Sequence, residues 1–367
     1  MNSASPRPRP RRQPQSRSRN RTEVRPCPSA RWLTAIVATA VAASAAPAAS
    51  AQGSGPQPFT GSTGSVAAPE LVASLPDGPF PTNFSIVDAL ANAALNPDTP
   101  PPGADDPGCV LTPEHPRPVV LVHGTLENRT FNWWALAPVL RNAGHCVFTL
   151  NYGQEVEAWR PGAPGSFKVG GTGPVMDSAR QLADFVDGVL DQTGAEKVDI
   201  IGHSQGGMMP RLYIKYLEGA DKVANLVGLA PDNHGTSFWG LLTTPPFNEV
   251  LFAALGPAIA EQRTDSELIR RLNEGGVTPG PSYTVIATDR DWIVTPWVSG
   301  FLPVTDPWLP SGPDVTNIRL QDACATNFTE HLSIPFNPAA IAHVLHALDP
   351  SYVVETPCTM SFPVLGG

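Results

Sequence analysis

Only five residues, Gly202-His203-Ser204-Gln205-Gly206, separate two segments of opposite character. Before them Lys197-Val198-Asp199-Ile200-Ile201 is a short apolar run that reads as a buried strand. After them residues 207–217 are of helix length and are closed by Gly219. A chain that leaves a strand and enters a helix across so tight a turn needs glycine on both sides, because neighbouring Cβ atoms do not fit there. The serine is then lifted above the end of the strand, where a nucleophile is used. A bare G-x-S-x-G arises by chance in roughly one chain in ten of this length, so the flanking strand and helix carry the argument.

The same alternation extends along the chain from residue 117. Pro118–Val122 reads as a continuous apolar strand, Phe131–Arg141 as a helix and Cys146–Leu150 as the next strand. Met176, Ala179, Leu182, Ala183, Val186, Val189 and Leu190 mark one helix face, with Asp177, Arg180, Asp184, Asp187 and Asp191 opposite and Gly194 as the stop. Strands are expected at Val223–Leu229, Tyr283–Ala287 and Val315–Leu320, and a closing helix at Ile341–Leu348. Apolar strands separated by helices predict an α/β fold, a mostly parallel sheet covered on both faces. Its chemistry belongs at the carboxyl ends of the strands, where Ser204 lies.

The N-terminus sets itself apart by charge. Nine of the 24 basic residues and one of the 33 acidic ones precede residue 52, so the remainder carries 15 basic against 32 acidic side chains, a net of −17. Such a surface disfavours nucleic acid and anionic membrane as partners. The arginine-rich start leads into Trp32-Leu33-Thr34-Ala35-Ile36-Val37-Ala38 and then to Ala49-Ser50-Ala51. That order of basic, apolar and small residues reads residues 1–51 as a secretion signal, too short in its apolar run to span a membrane. Because the basic stretch is long, initiation near Val24 is expected. Residues 52–78, rich in Gly, Ser, Pro and Ala, read as a flexible leader, and 79–367 as the folded domain. Four cysteines follow the signal, an even set that in an exported chain reads as disulfides with three possible pairings. Cys109 with Cys146 is the economical local pair, leaving Cys324 with Cys358 to tie down the C-terminal segment.

A serine needs a base, and the base an orienting acid. In this arrangement chain order runs serine, acid, histidine, which leaves His331, His343 and His346. The last two fall on the closing helix, whereas His331 lies in a loop and is the expected base. Asp289 and Asp291 both follow the strand ending at Ala287, and spacing alone does not separate them; Asp322 is the outside candidate. The N–H groups of Gln205 and of Thr125, in the loop after the first strand, are the expected oxyanion donors, with the Thr125 hydroxyl as a third. His123 reads as a residue of that turn.

These residues carry a resemblance. His123-Gly124-Thr125, Gly202-His203-Ser204-Gln205-Gly206-Gly207, Ala230-Pro231-Asp232-Asn233-His234-Gly235-Thr236 and Arg271-Leu272-Asn273-Glu274-Gly275-Gly276 resemble secreted actinobacterial lipases and esterases of the class 2 lipase family, from about residue 79 to the C-terminus. The elbow with a threonine after the first strand is also similar to Candida antarctica lipase B. The resemblance implies an α/β-hydrolase fold and favours Asp291 as the acid, through Thr288-Asp289-Arg290-Asp291-Trp292-Ile293-Val294-Thr295-Pro296, and His331-Leu332 as the base. Trp292 departs from the family pattern, in which a small or polar residue follows the acid.

Residues 236–280 interrupt the alternation with Phe238, Trp239, Leu241, Leu242, Phe247, Val250, Leu251, Phe252 and Leu255, an apolar insertion placed where a cap or lid is carried. Phe238, Trp239, Leu251 and Trp292, with Trp133 and Trp134 near the oxyanion loop, are the expected substrate-binding side chains. No metal-ligand spacing and no phosphate-cradling or dinucleotide loop is present, so no cofactor is expected. A monomeric, secreted ester hydrolase that meets a lipid surface transiently is the expectation; the alternatives are a polyester hydrolase or an acyltransferase with the same triad.

Overall fold

The computed structural model describes residues 75–159, 166–303 and 314–354, with Cys358 and Ser361. The expected secretion signal, the Val24 start and most of the leader lie outside the described residues.

Six strands form one parallel sheet: β1 (Val119–Val122), β2 (Val147–Leu150), β5 (Val198–His203), β6 (Val223–Leu229), β7 (Ser282–Ala287) and β8 (Val315–Arg319), in the order β2-β1-β5-β6-β7-β8. Two further strands, β3 (Val156–Trp159) and β4 (Ser166–Val169), make a separate antiparallel pair that the sequence did not announce. Strand order reverses at β1, which has β2 on one side and β5 on the other. A crevice opens at such a reversal, outside the carboxyl ends of the strands.

Burial on both faces explains the unbroken apolar runs, since every residue of β1, β2 and β5 is buried. Val120, Val122 and Ile200 join a core layer with Leu182 and Val186 of helix α4 (Val175–Thr193). Val119, Leu121 and Ile201 join the opposite layer with Ile341 and Val344 of the closing helix, Pro338–Leu348. Gly194 ends α4 in the left-handed region, φ 69°, where glycine has no Cβ to clash.

Proline divides two helices that the sequence pattern reads as continuous. The expected 131–141 helix is α2 (Arg129–Asn132) followed by α3 (Leu136–Asn142), with Pro138 in the first turn of α3. The segment after the elbow is α5 (Gln205–Met208) followed by α6 (Pro210–Tyr216), with Pro210 opening the second helix. A proline has no N–H to give to a preceding turn and is tolerated only near a helix start.

Both disulfides form as paired above: Cys109–Cys146 joins the segment before β1 to the residue before β2, and Cys324–Cys358 closes the C-terminal segment. Among the described residues no helix is long and apolar enough to cross a membrane.

Candidate active site

Ser204 follows the last residue of β5 with φ 54° and ψ −125°, a backbone conformation that side-chain-bearing residues rarely adopt. The packing around it accounts for the glycines. A Cβ on Gly202 would lie 1.8 Å from the Gly206 carbonyl oxygen, and one on Gly206 would lie 2.0 Å from that of Val122. The elbow is thus wedged against β1, and this fixes Ser204 relative to the loop that β1 feeds.

The acid and the base arrive from the next strands. Past β7, Asp291 Oδ1 accepts from the N–H groups of Ile293 at 2.9 Å and Val294 at 2.8 Å. Its other oxygen, Oδ2, lies 2.7 Å from His331 Nδ1. Burial pushes the His331 imidazole down, but the charge and hydrogen bond of Asp291 outweigh it and hold the ring above its ordinary value. With Nδ1–H donating to the carboxylate, Nε2 is the nitrogen that can take a proton. Asp289 turns away to Arg290 and Arg319, and Asp322 pairs with Arg319 at the surface. Of the other histidines, His346 is exposed and lies 2.7 Å from the Tyr352 carbonyl.

On the opposite side of Ser204, Gln205 is the first residue of α5, so its N–H has no acceptor within the helix. Its side chain is pinned, with Oε1 3.0 Å from the Tyr152 hydroxyl and Nε2 donating to the Gly171 carbonyl at 3.3 Å. Thr125 Oγ1 accepts from Gln262 Nε2 at 3.0 Å, which leaves its own proton to offer, with Gln262 Oε1 at 3.1 Å competing for it. His123 belongs to the turn: it is fully buried, stacks on Tyr152 at 4.4 Å and is pushed down to about 4, above all by burial.

Ser204 and His331 open on a cavity of about 160 Å³. Its walls are Leu126, Ile293, Val294 and Leu332 from the strand-end loops, with Phe238, Leu242, Leu251, Leu255 and Ile259 from the insertion. Phe238 and Leu251, expected at the substrate, thus line the cavity that Ser204 opens on. The tryptophans do not. Trp133 is wholly buried, and Trp134 packs on the core layer that includes Phe131 and Phe336, because the break between α2 and α3 turns both indoles into the protein. Trp239 is 73% exposed and donates through Nε1 to the Trp292 carbonyl, while Trp292 donates to Glu330 Oε2 at 3.0 Å. Both stand beside the cavity walls rather than in them.

Sequence reasoning passed over five polar residues that line the cavity: Glu127, His203, Asp232, Thr236 and Gln262. Asp232 is 1% exposed, and neither carboxyl oxygen finds a hydrogen-bond partner; burial, above all, pushes it up to about 7. Its signal was position, just past β6 and inside a segment quoted for its resemblance. Glu127 and His203 are 76 residues apart and meet at 3.0 Å, a pairing that no local pattern announces. Among the described residues no cluster of His, Cys, Asp and Glu is arranged to hold a metal ion.

A family model described as lipase, class 2, matches residues 116–301. A triacylglycerol lipase of Pseudarthrobacter phenanthrenivorans is 29% identical over 126 residues, 33% of this chain and 34% of that protein. One of Burkholderia plantarii is also 29% identical over 126 residues, 33% of this chain and 31% of that protein. The chain therefore spans about a third of the length of these relatives. Among solved structures, Aspergillus fumigatus lipase B is similar at 22% identity and a TM-score of 0.49, over 65% of this chain and 55% of that one. Bacillus licheniformis lipase BlEst2 in mature form gives 16% and 0.37, over 51% and 69%.

Proposed function

Since the chain belongs to the class 2 lipases, we propose that it is a secreted serine hydrolase of carboxylic esters, with acylglycerols as substrates. One observation carries the reading: His331, held from behind by Asp291 at 2.7 Å, lines the same cavity as Ser204.

Ser204 Oγ attacks the ester carbonyl carbon while His331 Nε2 takes its proton, and Asp291 steadies the imidazolium. The carbonyl oxygen becomes an oxyanion held by the N–H groups of Gln205 and Thr125, each such donor contributing about 2.7–4 kcal/mol in the transition state. Collapse breaks the bond to the alcohol, which leaves with the proton from His331. Water then attacks the acyl-enzyme with His331 again as base, releasing the acid and restoring Ser204. No cofactor takes part.

The aliphatic cavity supports an acyl chain over a flat polymer, since Phe238 is its only aromatic wall among the described residues. Two disulfides support an oxidising compartment, in keeping with residues 1–51 as a secretion signal, 52–78 as a leader and 79–367 as a monomeric domain. Trp239, Phe247, Val250 and Trp292, all more than 40% exposed, support transient contact with a lipid surface. The test is hydrolysis of p-nitrophenyl esters from acetate to palmitate and of emulsified triolein. Activity that rises with chain length, reaches triolein and vanishes in Ser204→Ala is expected; activity limited to acetate and butyrate removes acylglycerols as the substrate.

A further inference from the structure

His203, the residue before the nucleophile, has no part in that chemistry, yet both of its ring nitrogens are held. Nδ1 lies 3.0 Å from Glu127 Oε2, and Nε2 lies 2.9 Å from the main-chain carbonyl oxygen of His331. A carbonyl only accepts, so Nε2 carries a proton in every charge state of this ring. Glu127 Oε2 also accepts from the Gly124 N–H at 2.9 Å, in the loop that carries Thr125. Asn132 adds a second brace, with Oδ1 accepting from the same N–H at 3.0 Å and Nδ2 lying 3.1 Å from His203 Nδ1. The side chains of His203 and Glu127 are 1% and 7% exposed, so water does little to screen or replace these bonds.

We propose that Glu127 and His203 are positioning residues, an acid–histidine pair that ties the oxyanion loop after β1 to the backbone of His331 and keeps both in register with Ser204. The inference rests on the roles given above to Ser204, His331 and Asp291. A pair that served only to fill the core would have no reason to end on the carbonyl of the base itself. This one spans 76 residues to the oxyanion loop and 128 to His331. Displacing a reacting group by 1 Å costs roughly a hundredfold in rate, so a loosened tether shows first in kcat.

Charge provides a second readout. His331 is faced by Asp291 from the loop after β7, Glu127 from the loop after β1, Asp232 from the loop after β6, Glu330 beside it and His203 at the end of β5. His123 faces the Glu127–His203 pair from the end of β1. The negative charge of Glu127 favours the protonated form of His331, so removing it lets the base act at lower pH.

The test measures kcat and KM on a soluble short-chain ester across pH, counting active sites with a fluorophosphonate probe. Glu127→Ala is expected to lose about ten- to a hundredfold in kcat per titrated site with KM within about twofold. Glu127→Gln still accepts from Gly124 and is expected to recover most of kcat, with the acid limb of the kcat profile moved to lower pH. The proposal is overturned by a Glu127→Ala kcat per site within about twofold of the parent. An acid limb in Glu127→Gln that coincides with the parent's also overturns it, and does so even where the alanine variant fails to fold. Ser204→Ala in the same assay keeps the two readings apart: activity surviving there removes the nucleophile assignment itself, whatever Glu127 does.

Discussion

The floor and the roof of the cavity meet the same space with different means. Below, Ser204, His331 and Asp291 are at most 9% exposed. Ser204 and Asp291 stand just past the ends of β5 and β7, His331 in the longer loop that follows β8, and Asp291 and His331 are locked by hydrogen bonds to defined partners. Above, helix α7 (Phe247–Leu255) has no buried residue, and its Leu251 and Leu255 reach the cavity by size and apolarity alone. A directional contact is lost when one atom moves, whereas an apolar wall tolerates any residue of similar volume. On the proposed function, the floor would set whether the bond is cleaved, and the roof which acyl group is brought to it.

The largest effect that would break this division is at the nucleophile. Ser204→Ala is expected to lower kcat by about 10⁶-fold while leaving thermal stability within about a degree, measured on a soluble ester. Next comes Asp291→Asn, for which a loss of about 10⁴-fold is expected. Its acid limb should also move to lower pH, since Asp291 holds His331 above its ordinary value. A small loss in either variant would place the rate-determining geometry outside the floor.

Asp232→Asn probes the floor at a residue that neither attacks the substrate nor carries the transferred proton, and it is read by stability rather than rate. The carboxyl is pushed up to about 7 in the folded protein from an ordinary 3.8, so the folded state keeps a proton that the unfolded chain releases. Stability is consequently lost as pH rises from about 4 to about 7 and stays low above that. The amide cannot ionise, and the variant is expected to gain on the order of a few kcal/mol at pH 8 and almost nothing at pH 4, read as a pH-dependent rise in Tm. Equal melting of both proteins at pH 8 would show that Asp232 ionises without cost.

In the roof, Leu251→Ala is expected to lower kcat/KM on palmitate by about tenfold relative to acetate, within the range that lost apolar contacts in a pocket supply. A uniform loss on both esters would instead tie the roof to catalysis. Smallest of all, Trp239→Ser, at an exposed position, is expected to change stability by under about 0.5 kcal/mol. Its binding to emulsified triolein is expected to weaken.

The floor was far more legible in sequence than the roof. Continuous apolar strands, a glycine-flanked serine and a histidine outside any helix are local signals, and they pointed to Ser204, His331 and the pair Asp289/Asp291 as candidates. Spacing alone did not separate those two aspartates and the family resemblance favoured Asp291; the structure adds a physical reason, because Asp289 is drawn to Arg319, a residue of β8. Helix breaks at Pro138 and Pro210 were legible in principle, since both prolines sit where a continuous helix would need an N–H. The tryptophans misled because an aromatic near an oxyanion loop looks the same whether it faces a cavity or the core. Glu127 and His203 stayed hidden because a pairing across 76 residues leaves no periodicity to read.

The covalent ring closed by Cys324 and Cys358 has a consequence for timing. Its ends are 34 residues apart in sequence, and His331 lies inside it. Ser204, Asp291 and His331 follow one another in chain order, so the segment that carries Ser204 is made long before the ring that holds His331. Closing a ring of this length contributes roughly 4 kcal/mol by restricting the unfolded chain. The ring forms only where oxidation is possible. On the proposed reading of an exported chain, the loop that carries His331 is therefore fixed only after it has reached an oxidising compartment.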